Sequence, residues 1–437
     1  MQIKEIHVSN FRSFSSLKLQ LSDFNVMIGT NASGKSNFVQ IFSFLRDVMR
    51  DGLDNAISMQ GGVEYLRNIK IGESKPFSIF VAVGEKNGKG LSTSERDVVV
   101  LGKHRVVILP EATYKLSLKF DESVEGYSIS EDIFTVDCEL DDGGDSKKRP
   151  AGKKRHQIKI FRRRGNLSVS STLGITLSDI LETFFGHMPS AMVKKVRKIP
   201  RGRLVIEVPL YHFFTEILIL REIAIYDFDP KLPKRAIPVG GKTQLEGDAS
   251  NLSLVLKNLL KDQEKKQELF TRLKNILPFV SDLDMMKLAD KFFLFSLKEK
   301  YYDDYLPASL VSDGTINVIA LVIALFFGET RVPPFLHTES WRPMKIIEEP
   351  EKNVHPHAIA QITQMLEAAA EREQIIVTTH NPEVVKYTKP ENLLLVSRDE
   401  ESGFTIISRP MDKEIIRSFL DGKVPIDELY VQNLLEM

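Results

Sequence analysis

Gly29-Thr30-Asn31-Ala32-Ser33-Gly34-Lys35-Ser36 decides how this chain is read. Its spacing is G-x-x-x-x-G-K-[ST]. Phe24 to Ile28, just before it, is a short apolar run that reads as a buried strand. Phe38, Ile41, Phe42 and Leu45, just after it, have helical spacing, so a helix should begin near Gly34. Glycines let the backbone curl until successive N–H groups point inward, and the helix N-terminus adds partial positive charge at the same place. The result is a cradle for phosphates, walled by Thr30, Asn31, Ala32 and Ser33, with Asn37 in the first helical turn. Lys35 is placed to neutralise the β- and γ-phosphates of a nucleoside triphosphate such as ATP, and Ser36 to put its hydroxyl on Mg²⁺.

Two later strands end in chemistry. Lys345-Ile346-Ile347 runs into Glu348-Glu349-Pro350-Glu351, and Ile375-Ile376-Val377-Thr378-Thr379 runs into His380. Ligands collect at the carboxyl ends of parallel strands. Glu348 is the candidate Mg²⁺ ligand, directly or through water. Glu349 is the candidate general base for an attacking water, and His380 the group that hydrogen-bonds the γ-phosphate. Pro350 stops the strand. His355 and His357 read as loop or interface residues, because nothing supplies a matching third ligand for a metal.

At this point the order of motifs resembles the RecF-like branch of the ATP-binding-cassette ATPases, stand-alone ATPases related to SMC proteins that include the overcoming-lysogenization-defect group. The resemblance rests on the phosphate loop, Ser309 to Thr315, Ile347 to Glu351 and Thr378 to His380. Asn10 to Phe14, Ile225 to Pro230 and Glu246 to Leu256 add to it. It is strong over residues 1–70 and 305–395 and weak over 77–215. It implies that Ser312, Asp313 and Gly314 form a signature motif that caps the γ-phosphate held by a second copy of the chain, in an ATP-dependent head-to-head dimer. It also implies that Arg12 lies near the phosphates and that His380 is the switch. Position 348 carries glutamate where many cassette ATPases carry aspartate. Gln60 is the best candidate for the glutamine that couples the γ-phosphate to the rest of the head, but the reading as a surface loop residue outweighs it. A metal-dependent nuclease follows the ATPase in one related group; the 57 residues after His380 are too few for one, so effector chemistry is expected from a separate protein.

The expected fold is α/β. An ATPase head of mixed sheet is built from residues 1–70 and 305–437, with β-rich and helical lobes inserted over 71–304. Short alternating runs such as Phe77–Val81 and Tyr114–Phe120 predict antiparallel strands, with turns such as Asp141–Gly144 between them. Residues 250–277 have an amphipathic helical pattern, and no sustained heptads predict coiled-coil arms.

The 437 residues carry 59 basic and 59 acidic side chains, so no global field argues for nucleic acid or membrane. Charge is patterned locally instead. Residues 121–145 hold ten acidic and no basic side chains, and residues 147–164 hold ten basic and no acidic ones. Lys194, Lys195, Arg197, Lys198, Arg201 and Arg203 follow. This reads either as a solvated hairpin of balancing halves or as a surface over residues 147–203 for DNA or RNA phosphates. The single cysteine, Cys138, suits a reducing, cytoplasmic setting. Ile316 to Phe327, the longest apolar stretch, is too short to cross a bilayer and reads as a core helix.

The function expected is ATP binding and hydrolysis coupled to DNA or partner sensing, in repair or antiphage defence. An assembly scaffold with little turnover needs the same pocket and stays open beside it.

Overall fold

The computed structural model describes residues 1–85, 98–121, 126–141, 154–185, 194, 196–200, 202–207, 216–238, 240–289, 291–328, 341–421, 424–432 and 434. Its centre is a six-stranded mixed sheet in the order Ala224–Tyr226, Met344–Glu348, Gln374–Thr379, Phe24–Ile28, Leu393–Arg398, Thr405–Ser408. The first five strands are parallel and the last antiparallel. Strands buried on both faces read as near-continuous apolar runs, as Ile375–Val377 does; in Phe24–Ile28 the exception is Asn25, whose Oδ1 accepts from the Ser22 N–H and whose Nδ2 donates to the Ser22 carbonyl. Successive side chains still point to opposite faces. Met27, Ile346, Ile376 and Leu394 therefore join one hydrophobic cluster, while Val26, Ile28, Ile347, Ile375, Val377 and Leu395 join the other.

The first cluster packs the helix Lys35–Asp51 against an eight-stranded antiparallel sheet. That sheet begins with the hairpin Gln2–Phe11 and Phe14–Gln20. It continues through Phe77–Gly84, His104–Asp121, Gly126–Leu140, Arg155–Arg163 and Asn166–Ser171, with Val98–Leu101 on the side. The strands of the β-rich lobe thus extend the chain's first hairpin by direct pairing, Val8 opposite Ile79 and Val81 opposite Tyr114. The Asp141–Gly144 turn lies outside the described residues from 142 onward, as do Lys147–Lys153, Lys195 and Arg201.

The second cluster packs the helices Asp313–Phe326, Leu252–Leu259 and Pro356–Ala369 with a small antiparallel sheet of Ile237–Pro238, Phe292–Glu299, Val280–Ala289 and Tyr305–Pro307. In Asp313–Phe326 every residue from Thr315 to Leu325 is buried, which makes it the core helix expected there. The amphipathic stretch 250–277 is two helices, because Asp262 caps Gln263–Lys274 by accepting from the Glu264 and Lys265 N–H groups. The edge strand Ala224–Tyr226 comes from the chain stretch between the two head segments, so the central sheet draws on residues 71–304 as well.

The side chain of Gln374 ties the chain's first strand to the central sheet. Gln374 accepts from the Ile3 N–H at 3.0 Å, and its Nε2 donates to the Ile3 and Ser22 carbonyls at 2.7 and 3.1 Å. No helix among the described residues is long and apolar enough to cross a membrane.

Candidate nucleotide site

Four strands of the central sheet deliver the candidate site residues to one edge. Phe24–Ile28 opens into the phosphate loop, Met344–Glu348 ends at Glu348 and Glu349, Gln374–Thr379 ends at His380, and Ala224–Tyr226 ends at Asp227. Parallel register sets the height: Tyr226 pairs with Ile347, Glu348 with Thr378, and Thr379 with Ile28.

The loop curls as its glycines require. Gly34 caps the helix with φ +117°, and a Cβ there would lie 2.2 Å from Thr405 Oγ1. Gly29, Ser33 and Gly34 are buried, whereas Thr30, Asn31, Ala32 and Ser36 are exposed. The outer wall comes from the hairpin of Leu393–Arg398 and Thr405–Ser408. Arg398 Nε donates to the Ala32 carbonyl at 2.9 Å, and the Thr405 hydroxyl lies 3.0 Å from the Ser33 carbonyl and 2.8 Å from Ser13 Oγ. Lys35 Nζ donates to the Gly29 and Thr30 carbonyls at 2.6 and 2.9 Å. Burial lowers its pKa, and Glu349, Glu348 and Glu351 oppose that shift.

Glu348 and Ser36 meet across the loop, Oγ to Oε2 at 3.5 Å. Burial, then the charges of Asp227 and Glu349, push the Glu348 carboxyl up to about 7, against the pull of Ser36 and Lys35. Among the described residues no group of three or more His, Cys, Asp or Glu is arranged to hold a metal by itself. A hydroxyl beside a carboxylate is nevertheless the donor set that suits Mg²⁺, a hard cation that takes one or two protein oxygens and fills the rest of its octahedron with phosphate oxygens and water.

Glu349 turns out of its strand with φ +45°, and its N–H donates to the Thr378 carbonyl at 2.8 Å. Its Oε1 lies 2.8 Å from His380 Nδ1, both side chains partly exposed. A carboxylate and an imidazole in contact at an open edge can share and relay a proton.

Arg12 is half-buried, with φ +46°, and burial lowers its pKa. Its Nε and Nη2 donate to Gln60 Oε1 at 3.2 and 2.7 Å. Gln60 is not a surface loop residue: it is 4% exposed and its Nε2 donates to Gln40 Oε1 at 3.3 Å. Asn37 donates to Ser13 Oγ at 2.9 Å. Arg12, Asn37, Tyr65, Lys70, Arg398 and Phe404 line a cavity of about 310 Å³ beside the loop.

Ser312, Asp313 and Gly314 start the helix Asp313–Phe326. Ser312 is its N-cap and accepts from the Thr315 N–H at 3.2 Å, and Asp313 pairs with Lys234 Nζ at 2.5 Å. A Cβ on Gly314 would meet the Asn353 carbonyl at 2.2 Å, and Asn317 Nδ2 donates to the Lys352 carbonyl at 2.8 Å. The helix start is thereby clamped onto the turn that follows Glu349.

Asp227, Glu351, Arg398 and Thr405 converge on the site without a role assigned from sequence. The stretches Ile225–Pro230 and Ile347–Glu351 were visible as motifs. The contacts of Arg398 and Thr405 with a loop more than 360 residues away had no sequence signal.

Two family models match the chain. Residues 1–166 match the model described as "AAA ATPase domain", and residues 211–386 match "AAA domain, putative AbiEii toxin, Type IV TA system". Both describe ATPase domains, and between them they take in the phosphate loop, the Ser312 helix, Glu348–Glu349 and His380. Over those two stretches the chain is similar to ATPase domains of the AAA type. No curated protein sequence matches it. Among solved structures, the head is similar to an Smc head bound to the C-terminal winged-helix domain of ScpA (12% identity, TM-score 0.44, covering 93% of this chain and 98% of that one). It is also similar to the SMC head domain from Thermotoga maritima (13%, 0.38, 94% and 99%). A third is the Pyrococcus furiosus Smc head with an extended coiled coil, bound to the C-terminal domain of ScpA (12%, 0.37, 96% and 99%).

Proposed function

We propose that the head binds ATP with Mg²⁺ and hydrolyses it to ADP and phosphate in composite sites formed between two copies. The observation that carries this is the contact of Glu349 with His380 beside Ser36, Glu348 and Lys35. In this reading Lys35 exchanges its two loop carbonyls for β- and γ-phosphate oxygens. Ser36 and Glu348 hold Mg²⁺, which when bound neutralises charge on those oxygens. Glu349 orients a water and takes its proton as the water oxygen bonds to the γ-phosphorus and the bond to the ADP oxygen breaks. His380 is held at Nδ1 by Glu349, leaving Nε2 for a phosphate oxygen. Arg12, Gly29, Thr30, Asn31, Ala32, Ser33, Gly34 and Asn37 complete the cradle, and the cavity beside Asn37 has room for a nucleoside.

Ser312, Asp313 and Gly314 would act on the partner copy's nucleotide, since a helix N-terminus with small residues is an anion site. Exposed Leu310 just before it, and exposed Met59, Tyr65 and Ile69 near Arg12, are apolar surface that a second copy would cover.

The sensing part of the proposal rests on charge. The Asn166–Lys198 bridge and the Ile199 N–H bond to the Gly165 carbonyl bring the segment 196–199 beside the Arg163–Gly165 turn. Exposed Arg163, Arg164, Arg197 and Lys198 thus share one end of the antiparallel sheet, a surface suited to duplex phosphates. Arg162 is not part of it, because its guanidinium is spent on the Arg203 and Pro200 carbonyls. A separate effector protein, in a cytoplasmic repair or defence system, would receive the signal.

Steady-state turnover of wild type and Glu349→Gln, with and without double-stranded DNA, tests the reading. Turnover abolished by the substitution and raised by DNA supports a hydrolysing sensor. ATP binding with no turnover above Glu349→Gln in any condition supports the assembly scaffold instead.

A further inference from the structure

Glu348, Glu349 and Glu351 crowd three carboxylates into four positions, yet only the first two face the phosphate loop. Glu351 turns inward: it is 6% exposed, Oε1 is hydrogen-bonded to the Thr379 hydroxyl, and Oε2 is buried without a partner among the described residues. A buried carboxyl with an unmatched oxygen costs stability that an apolar side chain would not. Packing alone does not account for it.

What it holds is informative. Thr379 is fully buried at the last position of the strand before His380. Its Oγ1 accepts from the Asn381 N–H at 2.9 Å, so its one hydroxyl proton is free to go to Glu351. The chain of donors runs Asn381 N–H to Thr379 O–H to Glu351, and it fixes the backbone on both sides of His380. The same turn makes a second bond one residue back, from the Glu349 N–H to the Thr378 carbonyl at 2.8 Å. Two rungs, Glu349 to Thr378 and Glu351 to Thr379, therefore prolong the pairing of Glu348 with Thr378 beyond the sheet. They set how far the Glu349 carboxylate stands from the His380 ring.

We infer that Glu351 is a positioning residue, which through the Thr379 hydroxyl holds His380 in register with Glu349. The inference rests on the hydrolytic reading of that pair for its kinetic consequence, but its structural content stands apart from turnover.

The test compares Glu351→Gln, Glu351→Ala and Thr379→Val. Glutamine keeps an oxygen that accepts from Thr379, and alanine does not. Nitrogen-15 spectra of histidine-labelled, nucleotide-free protein, with His380 assigned by His380→Gln, read the ring directly. Expected are a shifted His380 signal in Glu351→Ala and Thr379→Val, unmoved His355 and His357, and a near-wild-type His380 in Glu351→Gln. In ATP turnover, Glu351→Ala should lower kcat by about 10- to 100-fold, the scale of a slightly misplaced catalytic group, with KM nearly unchanged. Glu351→Gln should stay within roughly tenfold of wild type, the span of one net hydrogen bond. Combining Glu351→Ala with Thr379→Val should add little to either. An unmoved His380 signal in Glu351→Ala overturns the inference. So does equal loss in the Gln and Ala variants with a matching fall in melting temperature, which would make Glu351 a packing residue. If wild type hydrolyses no ATP, the hydrolytic reading fails, and the spectra still decide the place of Glu351.

Discussion

The Glu349 carboxylate touches His380 Nδ1 at 2.8 Å, while the N–H of the same glutamate is bonded to the Thr378 carbonyl, two residues before that histidine. The pair is thus tied together by side chain and by main chain. Groups that act as a unit are non-additive when removed. Glu349→Gln and His380→Ala should each reduce single-turnover ATP cleavage by about 10²- to 10⁴-fold, and the double variant should be little worse than the more damaged single. Multiplicative losses would mean that the two residues act independently.

Gly34→Ala should fail in a different way. The residue stands at φ +117°, and the added methyl would collide with Thr405. The expected cost is about 1–3 kcal/mol in unfolding free energy, with loss of the ATP-induced rise in melting temperature. Adding Thr405→Ala removes the nearest atoms but not the backbone strain, so recovery should be partial.

At the opposite end of the central sheet lies a buried ion pair, Lys345 Nζ to Glu373 Oε1 at 2.6 Å, with Lys345 also donating to the Leu325 carbonyl at 3.1 Å. Burial lowers the pKa of the lysine and raises that of the glutamate. Removing one partner strands the other. Lys345→Met should cost about 3–5 kcal/mol in a urea titration, and Lys345→Met with Glu373→Leu should cost clearly less.

Asp132 gives the β-rich lobe a pH response. It is buried, and accepts from Tyr114 Oη at 3.0 Å and from the Val205 N–H at 2.8 Å. Burial pushes its pKa up from 3.8 to about 7, although both bonds pull the other way. Between those two values the folded protein holds a proton that the unfolded chain has released, so this group's contribution to stability falls as pH rises through the window and is constant above it. The slope is at most about 1.4 kcal/mol per pH unit. Asp132→Asn removes the titration. The difference in stability between wild type and variant, measured from pH 4 to 7.5, should move against the wild type as pH rises, and a flat difference would count against a proton on Asp132.

The site was legible where function and apolar run adjoin in sequence. Phe24–Ile28 with its glycine loop, Met344–Ile347 with Glu348, and Gln374–Val377 with His380 each carry a polar terminus on an unbroken buried strand, and such strands need no distant context to be recognised. The edge strand Ala224–Tyr226 did not stand out, because three residues show no period. Gln60 read as a surface loop residue, since its side-chain partners Arg12 and Gln40 lie 48 and 20 residues away in sequence. The break before Asp262 was masked by leucines that keep a helical spacing across it. Pairings such as that of Arg398 with Ala32 exist only once the sheet has closed.

That closure bears on how the chain is made. Phe24–Ile28 lies between Gln374–Thr379 and Leu393–Arg398, so a ribosome delivers the phosphate-loop strand long before either neighbour. Until residue 379 has emerged, the strand has two open edges and Gln374 cannot lock Ile3, and until residue 398 has emerged one edge stays open. The antiparallel sheet, whose successive strands are mostly neighbours in sequence, can form first during synthesis. The nucleotide cradle is then the last part of the molecule to become itself, and a nascent chain stalled short of the Leu393–Arg398 strand carries the phosphate-loop sequence without the sheet that gives it shape.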